Sequence, residues 1–190
     1  MNELILGGAR SGKSSLAEKR AVESGCKVIY IATGEARDGE MATRIAHHRA
    51  RRPALWQTLE CPLTLAATLS ELADQRTCLL VDCLTLWLSN LIFAGRAAAQ
   101  AEASEVIDCA LLKGEIDALL TALPKLPGRV ILVSNEVGWG VVPANPLARL
   151  FADEQGRLNQ RIAAICDEVT LVAAGLPLTL KHTPDQPIGL

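Results

Sequence analysis

Five solid apolar runs punctuate the chain: residues 4–6 (LIL), 27–32 (KVIYIA), 77–81 (TCLLV), 129–133 (RVILV) and 168–173 (EVTLVA). Each reads as a strand buried on both faces, because none alternates apolar with polar positions. Between them the pattern turns helical. Residues 13–23 carry helix formers and no Pro. Residues 38–52 put Met41, Ile45 and His48 on one stripe. Leucines at 63, 65, 69 and 72 predict a helix over 63–73. Residues 85–93 predict another, 97–123 one long helix or two, and 146–165 a helix with Pro near its start. Residues 55–59 predict a short strand. Gly175 and Pro177 turn the chain into a last hairpin strand at 178–180, and 182–190, with two Pro and a Gly, reads as a loose tail. Strands alternating with helices predict an α/β fold: a three-layer sandwich, its mostly parallel sheet covered by helices on both faces and ended by a short C-terminal hairpin. Residues 1–181 read as one domain, with no repeat and no linker.

Composition narrows the function. At 190 residues and 49% apolar, the chain has the material for a full core. Charged residues are 21% and the net charge is −2, which gives no electrostatic case for nucleic acid. Aromatics are 3%, so Leu, Ile, Val and Ala must build the core. The six Cys, at 26, 61, 78, 83, 109 and 166, show no CxxC spacing and read as reduced, mostly buried thiols. The N-terminus lacks a signal pattern and no apolar run reaches membrane-spanning length, so a cytoplasmic protein is expected.

The chemistry begins at Gly7-Gly8-Ala9-Arg10-Ser11-Gly12-Lys13-Ser14, which fits G-x-x-x-x-G-K-[ST] between a strand and a helix. Its glycines let backbone N–H groups converge on phosphate oxygens, and the following helix N-terminus adds a positive dipole end. Lys13 would reach the terminal phosphates, and the Ser14 hydroxyl would hold Mg²⁺. Asp82, ending an apolar strand, is placed to act on the metal; an Asp after a strand also serves as a helix cap. A P-loop NTPase of the RecA-like kind is therefore expected. The motif calls for a nucleoside triphosphate but leaves the reaction open.

His47 and His48 sit in EMATRIAHHRARRP, with Arg44, Arg49, Arg51 and Arg52 around them. The pair fits two surface histidines on a basic helix end. It also fits a neutral imidazole attacking an α-phosphorus while arginines neutralise the phosphates. The stripe with Met41 and Ile45 turns His48 inward.

GGARSGKS, YIATG at 30–34, DGEMATRIAHHRARRP, WQTLE at 56–60, LLVDCLTLWLSNLIF at 79–93 and SNEVGWGVVPANPLARLFADEQGRLNQRIAAICDEVTLVAAGLPLTLK at 134–181 cover most of the chain in order. Together the sequence resembles the bifunctional adenosylcobinamide kinase / adenosylcobinamide-phosphate guanylyltransferase family of cobalamin biosynthesis. HHRxxRP and NEVGxGxVP are its most specific pieces. The resemblance implies two reactions. A triphosphate, ATP or GTP, phosphorylates the aminopropanol hydroxyl of adenosylcobinamide. GTP then guanylylates a histidine, and GMP passes to the cobinamide phosphate. It implies that the covalent residue is one of His47 and His48, and the stripe favours His48. It implies that Arg49, Ala50, Arg51, Arg52, Glu60 and Asp82 line the nucleotide site, with Thr33, Gly34 and Glu35 nearby, and that the protein assembles as a trimer. Asn135, Glu136 and Gly138 follow a parallel strand, where such sheets bind ligands, and form a candidate substrate loop for metal or corrinoid. On the next helix Arg149 and Arg161 read as solvated, and GRLNQ at 156–160 as structural. The competing readings are a single-activity small-molecule P-loop kinase and a non-enzymatic nucleotide switch.

Overall fold

The computed structural model describes residues 1–34, 53 and 55–182. The helix expected over 38–52 and the tail residues 183–190 lie outside the described residues. In chain order the elements are β1 (Asn2–Gly7), α1 (Lys13–Glu23), β2 (Lys27–Ala32), β3 (Gln57–Glu60), α2 (Leu65–Leu72), β4 (Thr77–Asp82), α3 (Leu84–Ala94) and α4 (Ala97–Glu102). They continue as α5 (Ala110–Ala122), β5 (Arg129–Asn135), α6 (Pro146–Ile165), β6 (Glu168–Ala173) and β7 (Leu176–His182).

All seven strands form one sheet, ordered β3-β2-β4-β5-β1-β6-β7. Every neighbouring pair is parallel except β6 with β7, which closes the expected hairpin. Several expectations shift at their edges. The strand expected over 55–59 forms at Gln57–Glu60, and the helix expected over 63–73 runs Leu65–Leu72. β7 starts at Leu176, so Pro177 lies in the strand level with Val172 and not in the turn; it runs through His182, which pairs with Glu168. The 97–123 segment is two helices. The chain between them folds back, and the Gln100 side chain accepts a hydrogen bond from the Asp108 amide at 3.1 Å.

The apolar runs divide their side chains between two faces. Leu4 and Leu6 of β1, with Leu79 and Val81 of β4, meet Leu65 and Leu69 of α2, Trp87 and Leu88 of α3 and Leu158 and Ile162 of α6. Ile5, Leu80, Ile131 and Val133 point the other way, onto Ala17 and Ala21 of α1. The two alanines let α1 lie close on the sheet, and that fixes the loop preceding it. At the amino ends of the strands the fully buried Glu3 carboxylate is paired with Arg20 and Arg129, as a buried charge must be. Burial lowers the pKa of Arg20. The charge cluster closes one end of the sheet. The opposite end, where the parallel strands finish, carries the candidate site.

Candidate functional site

β1 ends at Gly7, where the chain leaves the sheet between β5 and β6. A Cβ on Gly7 would lie 2.6 Å from the Val172 carbonyl oxygen, so only glycine fits. The loop curls back on itself. Gly8 O accepts from the Ser11 amide at 3.2 Å and from Lys13 Nζ at 3.1 Å. Gly12 takes the left-handed conformation, φ 98°, as the N-cap of α1, and no side chain caps that helix. The first amides of α1 are thus left for an anion. The Ser11 carbonyl accepts from the Gly175 amide at 2.9 Å, which ties the loop to the β6–β7 turn. The Ser11 hydroxyl is buried without a hydrogen-bond partner among the described residues.

Lys13 is almost wholly buried, and burial lowers the pKa of its ammonium, with Cys83 and Asp82 pulling the other way. Apart from the Asp82 charge, the only acceptor holding this cation among the described residues is the Gly8 carbonyl. A phosphate would supply this cation with a strong anionic partner.

Asp82 is the last residue of β4. Its Oδ2 accepts from the Tyr30 hydroxyl at 2.9 Å, which fixes the carboxylate from the neighbouring strand. The N-cap of α3 is Cys83, so Asp82 is not a helix cap. Ser14 Oγ and Asp82 are hard oxygen donors beside a phosphate loop, and that set fits Mg²⁺, which keeps several waters and is held largely by substrate phosphates. Among the described residues no cluster of three or more His, Cys, Asp or Glu gathers into an all-protein metal cage.

The sheet brings several expected residues to one edge. Ala32 is level with Glu60 on one side and Asp82 on the other, and Gly7 is level with Asn135. The P-loop, Thr33, Glu60, Asp82 and Asn135 therefore share the carboxyl ends of neighbouring strands, where open α/β sheets bind ligands. Thr33 braces this end of the sheet. It is fully buried, its hydroxyl donates to the Cys83 carbonyl at 2.6 Å and accepts from the Cys83 amide at 2.9 Å, and Asn90 Nδ2 donates to its carbonyl at 2.7 Å. It clasps the end of β2 to the end of β4. Glu35, His47, His48, Arg49, Ala50, Arg51 and Arg52 lie outside the described residues.

A buried polar cluster is absent from the sequence reading. Ser134 Oγ donates to Asn159 Oδ1 at 2.7 Å, and Gln155 Nε2 donates to Ser134 Oγ and to Asn159 Oδ1, both at 3.0 Å. Asn159 Nδ2 donates to the Asn135 carbonyl at 3.0 Å, and the Asn135 amide donates to Thr85 Oγ1 at 2.8 Å. Gln155 and Asn159 share the stripe of Leu158 and Ile162, and two amides at i, i+4 on an apolar stripe were the available signal. The cluster holds the end of β5 beside the P-loop, and the Asn135 Oδ1 is buried without a partner among the described residues. The two arginines read as solvated are exposed, and within that surface Arg149 donates to the carbonyls of Pro143 and Ala144 and Arg161 pairs with Asp117 at 2.6 Å.

Residues 3–180 match the family described as cobinamide kinase / cobinamide phosphate guanyltransferase. The bifunctional adenosylcobalamin biosynthesis protein CobP of Pseudomonas aeruginosa is 58% identical over 97% of this chain and 99% of its own length. The bifunctional adenosylcobalamin biosynthesis protein CobU of Salmonella typhimurium is 42% identical over 94% of this chain and 98% of its own. Among solved structures, the flagellar accessory protein FlaH from Methanocaldococcus jannaschii aligns with TM-score 0.50 and 12% identity, over 95% of this chain and 78% of its own. An ATPase domain aligns with TM-score 0.51 and 13% identity, over 99% and 78%. The last two likenesses concern the fold alone, that of P-loop NTPases.

Proposed function

The chain belongs to the cobinamide kinase / cobinamide phosphate guanyltransferase family of bifunctional enzymes, and from that premise we propose that one P-loop site serves both reactions of nucleotide-loop assembly. In the first, the aminopropanol hydroxyl of adenosylcobinamide attacks the γ-phosphorus of ATP or GTP. The new O–P bond forms as the β–γ bridge breaks, and the nucleoside diphosphate leaves. In the second, an imidazole nitrogen attacks the α-phosphorus of GTP, the α–β bridge breaks and pyrophosphate leaves. A phosphate oxygen of adenosylcobinamide phosphate then displaces the histidine, giving adenosylcobinamide-GDP and restoring the imidazole. A covalent intermediate divides one hard displacement into two easier ones.

The observation that carries this reading is the buried Lys13 ammonium beside an uncapped helix N-terminus, opposite Asp82. The glycines and first amides of α1 cradle phosphate oxygens, and Lys13 neutralises charge that grows on the leaving group. Ser14 and Asp82 would hold Mg²⁺, which supplies Lewis-acid polarisation of the phosphates. His48, with His47 the alternative, carries GMP, and Arg49, Arg51 and Arg52 supply positive field for the leaving pyrophosphate. Glu35, Ala50 and Glu60 complete the nucleotide site, and residues 1–181 act as one catalytic domain.

Self-association follows from the family resemblance, as a trimer. The exposed leucines 176, 178 and 180 on the edge strand β7 support a contact between copies. Six free thiols accord with a cytoplasmic location, and no helix among the described residues is long and apolar enough to cross a membrane.

Lys13→Ala tests the shared site. Loss of both activities is expected. Full guanylyltransferase activity without kinase activity would show a separate site for the second reaction.

A further inference from the structure

Between β5 and α6 the chain runs through EVGWGVVPAN, residues 136–145. Both ends of this loop are fastened. At its start the Glu136 amide donates to Gly7 O at 3.1 Å, and the preceding Asn135 is held from both sides by Thr85 and Asn159. At its finish Arg149 donates to the carbonyls of Pro143 and Ala144, and the Asn145 side chain accepts from the Ala148 amide at 3.1 Å. A loop tethered this way has already lost much of its chain entropy. Its middle nevertheless presents apolar side chains to solvent: Trp139 is 74% exposed, Val141 95% and Val142 77%, with Val137 beside them at 36%. In a chain with 3% aromatic residues, whose Trp87 is wholly buried, an exposed tryptophan on a loop that starts beside the phosphate loop is not a random surface residue.

The charge of the loop narrows its ligand. Residues 136–145 contain one carboxylate and no Lys or Arg, so they offer no cation to a phosphate. Their exposed Trp and Val side chains suit a ligand with an extended apolar surface. The acceptor of this family's reactions carries such a surface: the methyl groups and ring edge of a corrin macrocycle, set between polar amide side chains, with the reacting hydroxyl at the end of a flexible arm. We propose that Trp139, Val141 and Val142 form the seat for the macrocycle of the corrinoid acceptor. The indole packs on its apolar periphery. The loop leaves the sheet level with Gly7, so a macrocycle seated there has its arm beside the phosphates at the P-loop. Gly138 and Gly140 keep the backbone around Trp139 free of side chains that would hold the ring away. The inference rests on the functional reading above and names the residues that recognise the second substrate.

The test uses the full chain and adenosylcobinamide. In kinase assays at saturating nucleotide, Trp139→Ala and the double variant Val141→Ser/Val142→Ser should each raise the KM for adenosylcobinamide about tenfold, the equivalent of losing one well-packed apolar contact. GTP affinity, measured by direct titration, should stay within about twofold of wild type. Trp139→Phe should recover most of the loss. Sedimentation should show the same assembly in every variant. A corrinoid KM unchanged in both variants overturns the proposal. So does a change of assembly without a change of KM, which would make the loop a contact between copies of the chain. A wild-type enzyme that phosphorylates no corrinoid would overturn the functional reading as well, whereas an active wild type with indifferent variants overturns this inference alone.

Discussion

Asn159 Nδ2 donates to the Asn135 carbonyl at 3.0 Å, so α6, packed on one face of the sheet, holds the strand end that lies beside the P-loop. The bond has company: Asn159 Oδ1 also accepts from Ser134 and Gln155. Asn159→Leu would remove this donor from the Asn135 carbonyl and leave Ser134 and Gln155 only their bond to each other, at about 1–3 kcal/mol for each buried group left unpaired. Urea unfolding should show a loss in that range. Assays well below the unfolding transition should show reduced turnover in the folded variant. A variant that is destabilised but fully active when folded would make the cluster a stability feature only.

Much of this architecture is legible in the sequence, for identifiable reasons. The α6 boundaries, 146 and 165, follow from Pro146 at the first helical position, where its missing amide costs nothing, with Asn145 supplying the cap. The parallel sheet follows from apolar runs with no polar alternation. The P-loop is a contiguous motif, so its chemistry is local. What escapes is long-range pairing of polar side chains. Tyr30 with Asp82, Thr33 with Cys83, and Ser134 with Gln155 and Asn159 are 21 to 52 residues apart. No periodicity announces such pairs, because each depends on which strand lies next to which. The two-helix outcome over 97–123 was open for a similar reason: Ala-rich sequence propagates a helix, and the break is fixed by Gln100 bonding the returning chain.

Asp82 should behave as a metal-site carboxylate. Asp82→Asn keeps the size and can still meet the Tyr30 hydroxyl, but it removes the charge. Turnover should fall and the Mg²⁺ concentration for half-maximal rate should rise, since a carboxylate at a metal–phosphate site is worth several kcal/mol. Mg²⁺ titrations of both half-reactions check this. An unchanged Mg²⁺ dependence would leave Asp82 as an anchor for Tyr30.

Burial lowers the pKa of Lys13 below its ordinary 10.5 in the free protein. Below that lowered value the charged amine opposes folding, and the penalty is relieved as pH rises toward 10.5. A bound triphosphate favours the ammonium and raises the pKa again. In the alkaline window between the lowered value and 10.5, nucleotide binding should therefore take up a proton, and GTP affinity should fall as pH rises. Titration calorimetry in buffers of different ionisation enthalpy reads the proton directly. Proton-neutral binding across that window would show that Lys13 does not meet the phosphates.

The most direct test of the mechanism is where the nucleotide becomes attached. The full chain, incubated with Mg²⁺ and GTP and without corrinoid, should gain the mass of one guanylyl group, that of GMP less one water. The adduct should be stable in base and labile in acid, as a nitrogen–phosphorus bond is. Peptide mapping should place it on His48. His48→Ala should abolish the label while leaving phosphorylation of adenosylcobinamide substantially intact, because phosphoryl transfer to a hydroxyl relies on positioning and charge rather than on this nucleophile. Label on His47 would contradict the inward orientation assigned to His48. A protein that transfers GMP with no labelled histidine at any time would contradict the covalent mechanism itself.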